Sequence, residues 1–207
     1  MFNLIIYDLD GTILDTICDI HNSLMETLSF FRFPTFDINT TKSFVGDGFR
    51  ALLERAFGKE NFKDEYEYFF REVYTKNQTK NTKLFEKINH VLELQKRSGK
   101  KLVILSNKAY KNTDYLVKYF SLDNYFDGWY GGDSFTEKKP SAIPVYEILK
   151  LFSIKKENSL LVGDNYTDIE AGHFAGISTC FCEYGYGRLS QVLPDFTARC
   201  VEELKQF

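Results

Sequence analysis

The 207-residue chain has few cysteines, no excess of positive charge and no long apolar run, and each absence excludes a class of protein. Its four cysteines lack metal-ligand spacing. Cys180 and Cys182 form a C-x-C pair on an expected strand, which indicates reduced thiols rather than a zinc site. The formal net charge is −3. Because a protein that binds the nucleic-acid backbone needs a cationic face, nucleic acid is not expected as a partner.

Membrane association and secretion are not expected either. No stretch approaches the length of a membrane span, and Asp8 and Asp10 interrupt the N-terminal apolar run too early for a signal peptide. We expect a cytoplasmic protein, either a monomer or a homodimer. What the chain does have is 43% hydrophobic and 27% charged residues, the composition of a globular protein with a proper core.

Four short apolar runs predict strands, and they lie at residues 3–7, 101–105, 159–162 and 178–181. The runs are continuous rather than alternating, which is typical of parallel strands covered on both faces. Helical patterns precede two of them, at Leu84, Ile88, Val91 and Leu92 and at Pro144, Val145, Ile148, Leu149 and Phe152. This alternation predicts an α/β fold built on a doubly wound parallel sheet.

The segment between the first two strands is too long for a single crossover. It contains two apolar helix faces, formed by Ile17, Ile20, Leu24, Leu28 and Phe31 and by Phe62, Tyr66, Phe69, Phe70 and Val73. We interpret residues 16–81 as an inserted helical cap domain, with hinges at 14–16 and 80–84. Residues 1–15 and 82–207 then form the α/β core.

Polar residues follow three of the predicted strands, at the edge where open α/β sheets bind their ligands. They are Asp8 and Asp10 after the first strand, Ser106 and Asn107 after the second, and Asp164 and Asp168 after the third, while a separate loop carries Lys139. Each has an ordinary explanation alone, since Asp and Gly form turns and Ser and Asp cap helices. Their combination at strand ends instead predicts phosphoryl transfer.

Two carboxylates suit the bond-breaking steps of that chemistry. Asp8 can attack phosphorus and divide hydrolysis into two easier steps. Asp10 lies two residues further and faces the same side, because side chains alternate along a strand. It suits a general acid that protonates the leaving oxygen and then activates water.

The remaining residues suit the charge of a phosphate. Clustered carboxylates repel a phosphate dianion, so Mg²⁺ is expected, held directly or through water by Asp164 and Asp168. The ammonium of Lys139 and the hydroxyl of Ser106 would balance the remaining charge on the phosphoryl oxygens.

Together these motifs resemble the haloacid dehalogenase superfamily of phosphatases. They are D-x-D-G-T at residues 8–12, the strand-end Ser106, Lys139 before Pro140, and G-D-x-x-x-D at residues 163–168. The resemblance covers nearly the whole chain, because the helical insertion is similar to the small cap of that superfamily. One motif departs from that superfamily, whose members usually read K-P-x-P. Here Lys139-Pro140 is followed by Ser-Ala-Ile before Pro144, which puts the local loop shape in question.

The resemblance also implies roles for individual residues. Asp8 is the nucleophile and Asp10 the acid/base. Phosphate is bound by Ser106 and Lys139, with Asn107 beside them. Mg²⁺ is held by Asp8, by the backbone carbonyl of Asp10 and by Asp164, with Asp168 in support. The substrate implied is a small organic phosphate ester.

Within the superfamily, the predicted cap is similar to the phosphoglycolate phosphatase branch at residues 15–20, 45–48 and 52–56. Gly46 and Gly48 would let the cap backbone approach the ligand closely. Arg50 or Arg55 could meet a substrate carboxylate. The alternative is a glycine-broken loop between helices, with both arginines in solvent.

Two other functions remain open. A sugar-phosphate mutase of the same fold needs a cap histidine, and His21 lies one position late, which turns its side chain by about 100° on a helix. We interpret His21, His90 and His173 as structural or surface residues. A non-catalytic phosphate-binding module would be expected to lose one of the key aspartates, and all are present.

Overall fold

The computed structural model describes residues 2–207. Eight strands are β1 Leu4–Tyr7, β2 Leu14–Asp15, β3 Lys83–Leu84, β4 Lys101–Leu105, β5 Gly128–Tyr130, β6 Ser159–Gly163, β7 Ser178–Cys182 and β8 Phe196–Ala198. Eight α-helices are α1 Ile17–Phe30, α2 Ile38–Phe44, α3 Phe49–Phe57, α4 Asp64–Asn77, α5 Ile88–Arg97, α6 Tyr110–Tyr119, α7 Ile143–Phe152 and α8 Tyr166–Ala175.

Six of the strands form one parallel sheet in the order β5-β4-β1-β6-β7-β8. Strand β1 lies in the middle, where Tyr7 pairs with Ile104 on one side and Val162 on the other. The chain that leaves β1 therefore emerges between the ends of β4 and β6. This register brings the three polar strand ends together.

Both faces of the sheet are buried, which explains the continuous apolar runs. Ile5 and Tyr7 pack into one apolar cluster with residues of α5 and α6. Leu4 and Ile6 pack into a second cluster with residues of α7 and α8. The doubly wound α/β architecture is confirmed.

The predicted strands agree with the structure to within one residue at each end, but β5 and β8 were missed. These two edge strands are three residues each; β5 is half-buried throughout and β8 has two exposed residues, so neither shows a continuous buried apolar run. Leu84 was wrongly placed with the helix that follows. It lies in β3, where it pairs with Leu14 of β2 in a short antiparallel ladder.

Helices α1 to α4 lie between β2 and β3 and pack around an apolar cluster of their own; we call residues 17–77 the helical insertion. The two predicted helix faces are present, although Phe62 precedes α4 and Phe31 follows α1. The division at 15/16 and 81/82 stays a prediction. Among the described residues, no helix combines the length and apolar character needed to cross a bilayer.

The two connections to the insertion are joined by one buried carboxylate. Asp19, in the first turn of α1, accepts hydrogen bonds from the backbone N–H groups of Asn81 and Thr82, at 2.9 and 2.8 Å. The Asn81 amide and the Thr82 hydroxyl donate to it as well, each at 2.8 Å. This contact ties the first helix of the insertion to the segment that leads from the insertion back to the sheet.

Candidate active site

The turn after β1 places two carboxylates at the sheet edge. Asp8 is buried, while Leu9 between them packs into the core and Asp10 stays partly exposed. The turn continues through Gly11 at φ 87°, in the left-handed region. A Cβ at Gly11 would overlap the carboxylate of Asp164, so this close approach requires glycine.

The buried ammonium of Lys139 holds two of the carboxylates in place. Its Nζ donates to Asp8 Oδ1 at 2.8 Å and to Asp168 Oδ1 at 2.6 Å, and it also donates to the carbonyl of Leu105. Burial lowers the pKa of Lys139, but the adjacent Asp168 and Asp8 outweigh burial and raise it above its usual range. Lys139 therefore remains a cation beside Asp8.

The buried carboxylates of Asp8 and Asp164 are not fully neutralised by nearby cations. Burial raises the pKa of Asp8 to about 7, with repulsion from Asp168 and Asp10 adding to the rise and Lys139 opposing it. Burial and the charges of Asp8 and Asp168 likewise raise the pKa of Asp164 well above its usual range. A cation between these carboxylates would relieve both effects.

Asp8, Asp164 and Asp168 each offer a carboxylate oxygen, all within 4.8 Å of one another. Asp164 Oδ2 already accepts from the backbone N–H groups of Tyr186 and Gly187, at 2.9 and 2.8 Å. Within residues 2–207, no hydrogen bond reaches Oδ1 of Asp164 or Oδ2 of Asp8. Oδ1 of Asp164 therefore fits a hard cation, and Oδ2 of Asp8 is left without a protein partner.

Asp168 differs from the other two carboxylates because both of its oxygens bind protein donors. Oδ1 accepts from Lys139, and Oδ2 accepts from the backbone N–H of Asn165 at 3.1 Å, as part of the capping box of α8. Asp168 lies close enough to Asp8 and Asp164 to share a metal ion with them. Its hydrogen bonds indicate instead that it positions Lys139. This geometry favours the supporting role over direct ligation.

Ser106 and Asn107 follow β4 as predicted. Ser106 is buried, and its Oγ accepts from the backbone N–H of Lys108 at 3.2 Å. The Asn107 amide nitrogen donates to the carbonyl of Gly46 at 2.9 Å and to that of Lys139 at 2.8 Å, so it joins the insertion to the core. Both residues line the pocket, and their binding of phosphate stays a prediction.

Asp10 is held through one of its two oxygens. Oδ1 accepts from the Thr16 hydroxyl at 2.7 Å and lies 3.2 Å from Lys108 Nζ. The Thr16 hydroxyl is also bonded to the hydroxyl of Tyr186 at 2.8 Å. No hydrogen bond from the described part of the chain reaches Oδ2, which is therefore the oxygen available for proton transfer.

The helical insertion covers this edge of the sheet. It contributes the apolar side chains of Ile20, Val45, Phe49 and Leu52 and the backbone of Gly46 and Gly48 to the pocket wall. Both glycines have positive φ, 121° and 87°. A Cβ at Gly46 would overlap the Asn165 amide, so this glycine lets the loop approach the core of the protein, while its approach to a ligand stays a prediction.

A family model described as haloacid dehalogenase-like hydrolase matches residues 5–182. The chain belongs to this family.

Individual relatives agree with the family match. The chain is similar to a phosphoglycolate phosphatase of Aquifex aeolicus, with 39% identity over 94% of this chain and 91% of that protein. A phosphoglycolate phosphatase of Chromobacterium violaceum is 30% identical over 96% of this chain and 92% of its own length. The resemblance inferred from the motifs and the prediction of an enzyme, a phosphatase, are confirmed.

A solved structure of a predicted phosphoglycolate phosphatase from Haemophilus somnus superposes with a TM-score of 0.92 at 28% identity. The match covers 99% of this chain and 97% of that one. The haloacid dehalogenase-like α/β core is therefore confirmed.

In this haloacid dehalogenase-like hydrolase, neither candidate arginine lines the pocket. Arg50 pairs on the surface with Asp64 at 3.0 Å and with Glu54 and Glu67, each at 3.3 Å. Because Phe49 faces inward on α3, the next position is turned away by about 100°. The structure therefore places Arg50 on the surface and away from the pocket, which is the second of the two alternatives left open by the sequence.

Arg55 is also occupied elsewhere. It donates to the carboxylate of Asp47 at 2.5 Å and to the carbonyl of Phe44 at 2.7 Å. Asp47 in turn accepts from the Tyr166 hydroxyl of the core at 2.5 Å. Arg55 thus holds the glycine loop and its contact with the core instead of facing the pocket.

Among the residues not recognised from the sequence, Lys108 and Tyr186 line the pocket of this hydrolase, and Thr16 bonds the side chains of Asp10 and Tyr186. Lys108 directly follows Ser106 and Asn107, so its place after β4 was a usable signal. Tyr186 lies beyond the carboxyl end of β7, so its place after a predicted strand was a usable signal as well. The histidines lie outside the pocket: His21 bonds Thr41 at 2.8 Å, and His90 and His173 are exposed.

Proposed function

We propose that this hydrolase is a Mg²⁺-dependent phosphomonoesterase that acts on a small organic phosphate through an aspartyl-phosphate on Asp8. One observation carries the proposal. Asp8 is oriented by Lys139 through Oδ1, while Oδ2 has no protein partner among residues 2–207 and faces the pocket with Asp164 beside it. A buried, oriented carboxylate with a free oxygen is suited to nucleophilic attack.

The proposed reaction has two steps. Oδ2 of Asp8 attacks phosphorus, the bond to the leaving oxygen breaks, and Oδ2 of Asp10 delivers its proton to that oxygen. Asp10 then takes a proton from water, whose oxygen attacks the aspartyl-phosphate and releases inorganic phosphate. Thr16 and Lys108 keep Oδ1 of Asp10 occupied, which directs the proton to Oδ2.

The charges of the site support a divalent cation. The described residues in and next to the pocket include four carboxylates, those of Asp8, Asp10, Asp164 and Asp168. Two ammonium groups, of Lys108 and Lys139, oppose this negative charge. Oxygen-only donors favour Mg²⁺ among the common metals. When bound, Mg²⁺ would neutralise charge on the phosphoryl group as a Lewis acid, held by Asp8, Asp164 and the Asp10 carbonyl.

Phosphoglycolate is the substrate class that we propose. Two relatives that match the chain over more than nine-tenths of its length bear that name. The covered pocket has apolar walls from the insertion and supports a short leaving group. A mutase is disfavoured because His21 bonds Thr41 within the insertion, and a binding module would not require the paired Asp8 and Asp10.

A panel of purified phosphate esters tests this proposal. We expect kcat/KM for phosphoglycolate to exceed that for hexose phosphates and nucleoside monophosphates by about tenfold or more, since one additional charge-assisted contact is worth this factor. Phosphate release at constant Mg²⁺ is the measurement. A preference for a hexose phosphate, or suppression of release by a sugar bisphosphate, would favour the mutase instead.

Replacing Asp10 tests the acid. Asp10→Asn should lower turnover of an alkyl phosphate by ~10²–10⁴-fold, the usual contribution of general acid–base catalysis. The loss should be smaller for para-nitrophenyl phosphate, whose leaving group needs little protonation. Asp15→Asn is the matched control, because Asp15 lies nearby in β2 and does not line the pocket. Equal losses on both substrates would mean that Asp10 only shapes the turn.

A further inference from the structure

Lys108 is the one cationic side chain among the described residues that line the pocket. It follows β4 directly after Ser106 and Asn107, and its side chain is only 1% exposed. Lys139 is bonded to Asp8, Asp168 and the Leu105 carbonyl and is not among the residues that line the pocket. A second anionic group on the substrate would therefore meet Lys108.

The position of the Lys108 ammonium is fixed from two sides. Its Nζ donates to the Tyr74 hydroxyl of the insertion at 2.7 Å and lies 3.2 Å from Asp10 Oδ1. It also lies over the rings of Tyr74 and Phe49, 4.4 and 4.9 Å from their centroids. An ammonium has three donors, and these two oxygens account for two of them. One donor remains for a ligand.

The insertion offers no alternative partner for a negative charge. The insertion residues that line the pocket are Ile20, Val45, Gly46, Gly48, Phe49 and Leu52, none of which carries a polar side chain. Arg50 and Arg55 are paired with carboxylates outside the pocket. An anionic leaving group in this pocket would be desolvated, and such a group is stable only beside a paired charge.

The contact with Asp10 places Lys108 on the leaving-group side. In the proposed reaction the proton of Asp10 goes to the leaving oxygen, and the carboxylate of phosphoglycolate begins one carbon beyond that oxygen. We propose that Lys108 Nζ, held by Tyr74, binds the leaving-group carboxylate and thereby selects short phosphorylated hydroxy acids. This inference rests on the function proposed above.

A pair of matched substrates isolates this contact. 2-Hydroxyethyl phosphate has nearly the size of phosphoglycolate but carries an uncharged hydroxymethyl group in place of the carboxylate. Lys108→Gln will affect both substrates through its contact with Asp10, so the ratio of their kcat/KM values is the readout. We expect the ratio of phosphoglycolate to hydroxyethyl phosphate to fall by about 10- to 100-fold, the value of one charge-assisted hydrogen bond.

Two further measurements keep the test decisive. Tyr74→Phe removes the hydroxyl that holds Nζ and should lower the same ratio by a smaller factor, so it carries the test if Lys108→Gln fails to fold. Glycolate should inhibit hydrolysis of para-nitrophenyl phosphate, and Lys108→Gln should weaken that inhibition. Lys100→Gln, which removes a buried lysine that instead bonds the Phe2 carbonyl, should leave the ratio unchanged.

The outcomes separate this inference from the proposed function. An unchanged ratio in both Lys108→Gln and Tyr74→Phe, together with unchanged glycolate inhibition, would overturn the role of Lys108 while the parent still prefers phosphoglycolate. If the parent itself shows no preference for phosphoglycolate over hydroxyethyl phosphate, the proposed substrate fails instead.

Discussion

Asp8→Asn is expected to reduce kcat/KM for phosphate esters by ~10⁴-fold or more, since loss of a catalytic nucleophile has this order of effect or a larger one. The amide has nearly the shape of the carboxylate but cannot attack phosphorus. The change also removes negative charge from a crowded group of buried carboxylates. The fold should therefore persist, with an unfolding transition close to that of the parent.

Steady-state phosphate release and acid-quenched mass spectrometry measure this effect. The parent should yield a phosphorylated peptide containing Asp8 on rapid quenching, and the variant should not. Asp123→Asn, at an exposed position far along the chain, is the matched control and should leave both readouts unchanged. Substantial turnover by Asp8→Asn, or a phosphopeptide that lacks residue 8, would contradict the covalent mechanism.

Removal of divalent metal is expected to have the second largest effect. Treatment with EDTA should lower the rate by about 10³-fold or more, because Lewis-acid stabilisation of a phosphoryl transition state is worth several kcal/mol. Added Mg²⁺ should restore the activity. The four carboxylates would otherwise repel the phosphate, so metal removal should also raise KM.

Two substitutions distinguish a ligand from a supporting residue. Asp164→Asn should raise the Mg²⁺ concentration for half-maximal activity by roughly tenfold or more, because an amide nitrogen would replace Oδ1, the oxygen proposed to hold the metal. Asp168→Asn should mainly lower kcat, since both oxygens of Asp168 bind protein donors. Full activity of the parent in EDTA would contradict the role of the metal, and identical Mg²⁺ profiles for the two variants would contradict the distinction between them.

The parallel sheet and the cluster of aspartates at its edge were predictable because their signals are local. A strand covered on both faces needs a continuous apolar run, and β1, β4, β6 and β7 each have one. The carboxyl ends of parallel strands meet at one edge, so the polar residues that follow them share a site whatever connects them. The short edge strands β5 and β8 carry no such run and became visible only through their pairing.

The roles of Lys108, Asp168 and the two arginines were decided by tertiary structure. Lys108 faces the pocket because Tyr74, 34 residues earlier, reaches it from the helical insertion. Asp168 supports Lys139 across 29 residues of sequence. The sequence by itself determined the sheet and the charged groups at its edge, through local pattern. Which oxygen stays free and which cation meets the leaving group depends on side-chain directions and long-range pairing, which residue spacing does not specify.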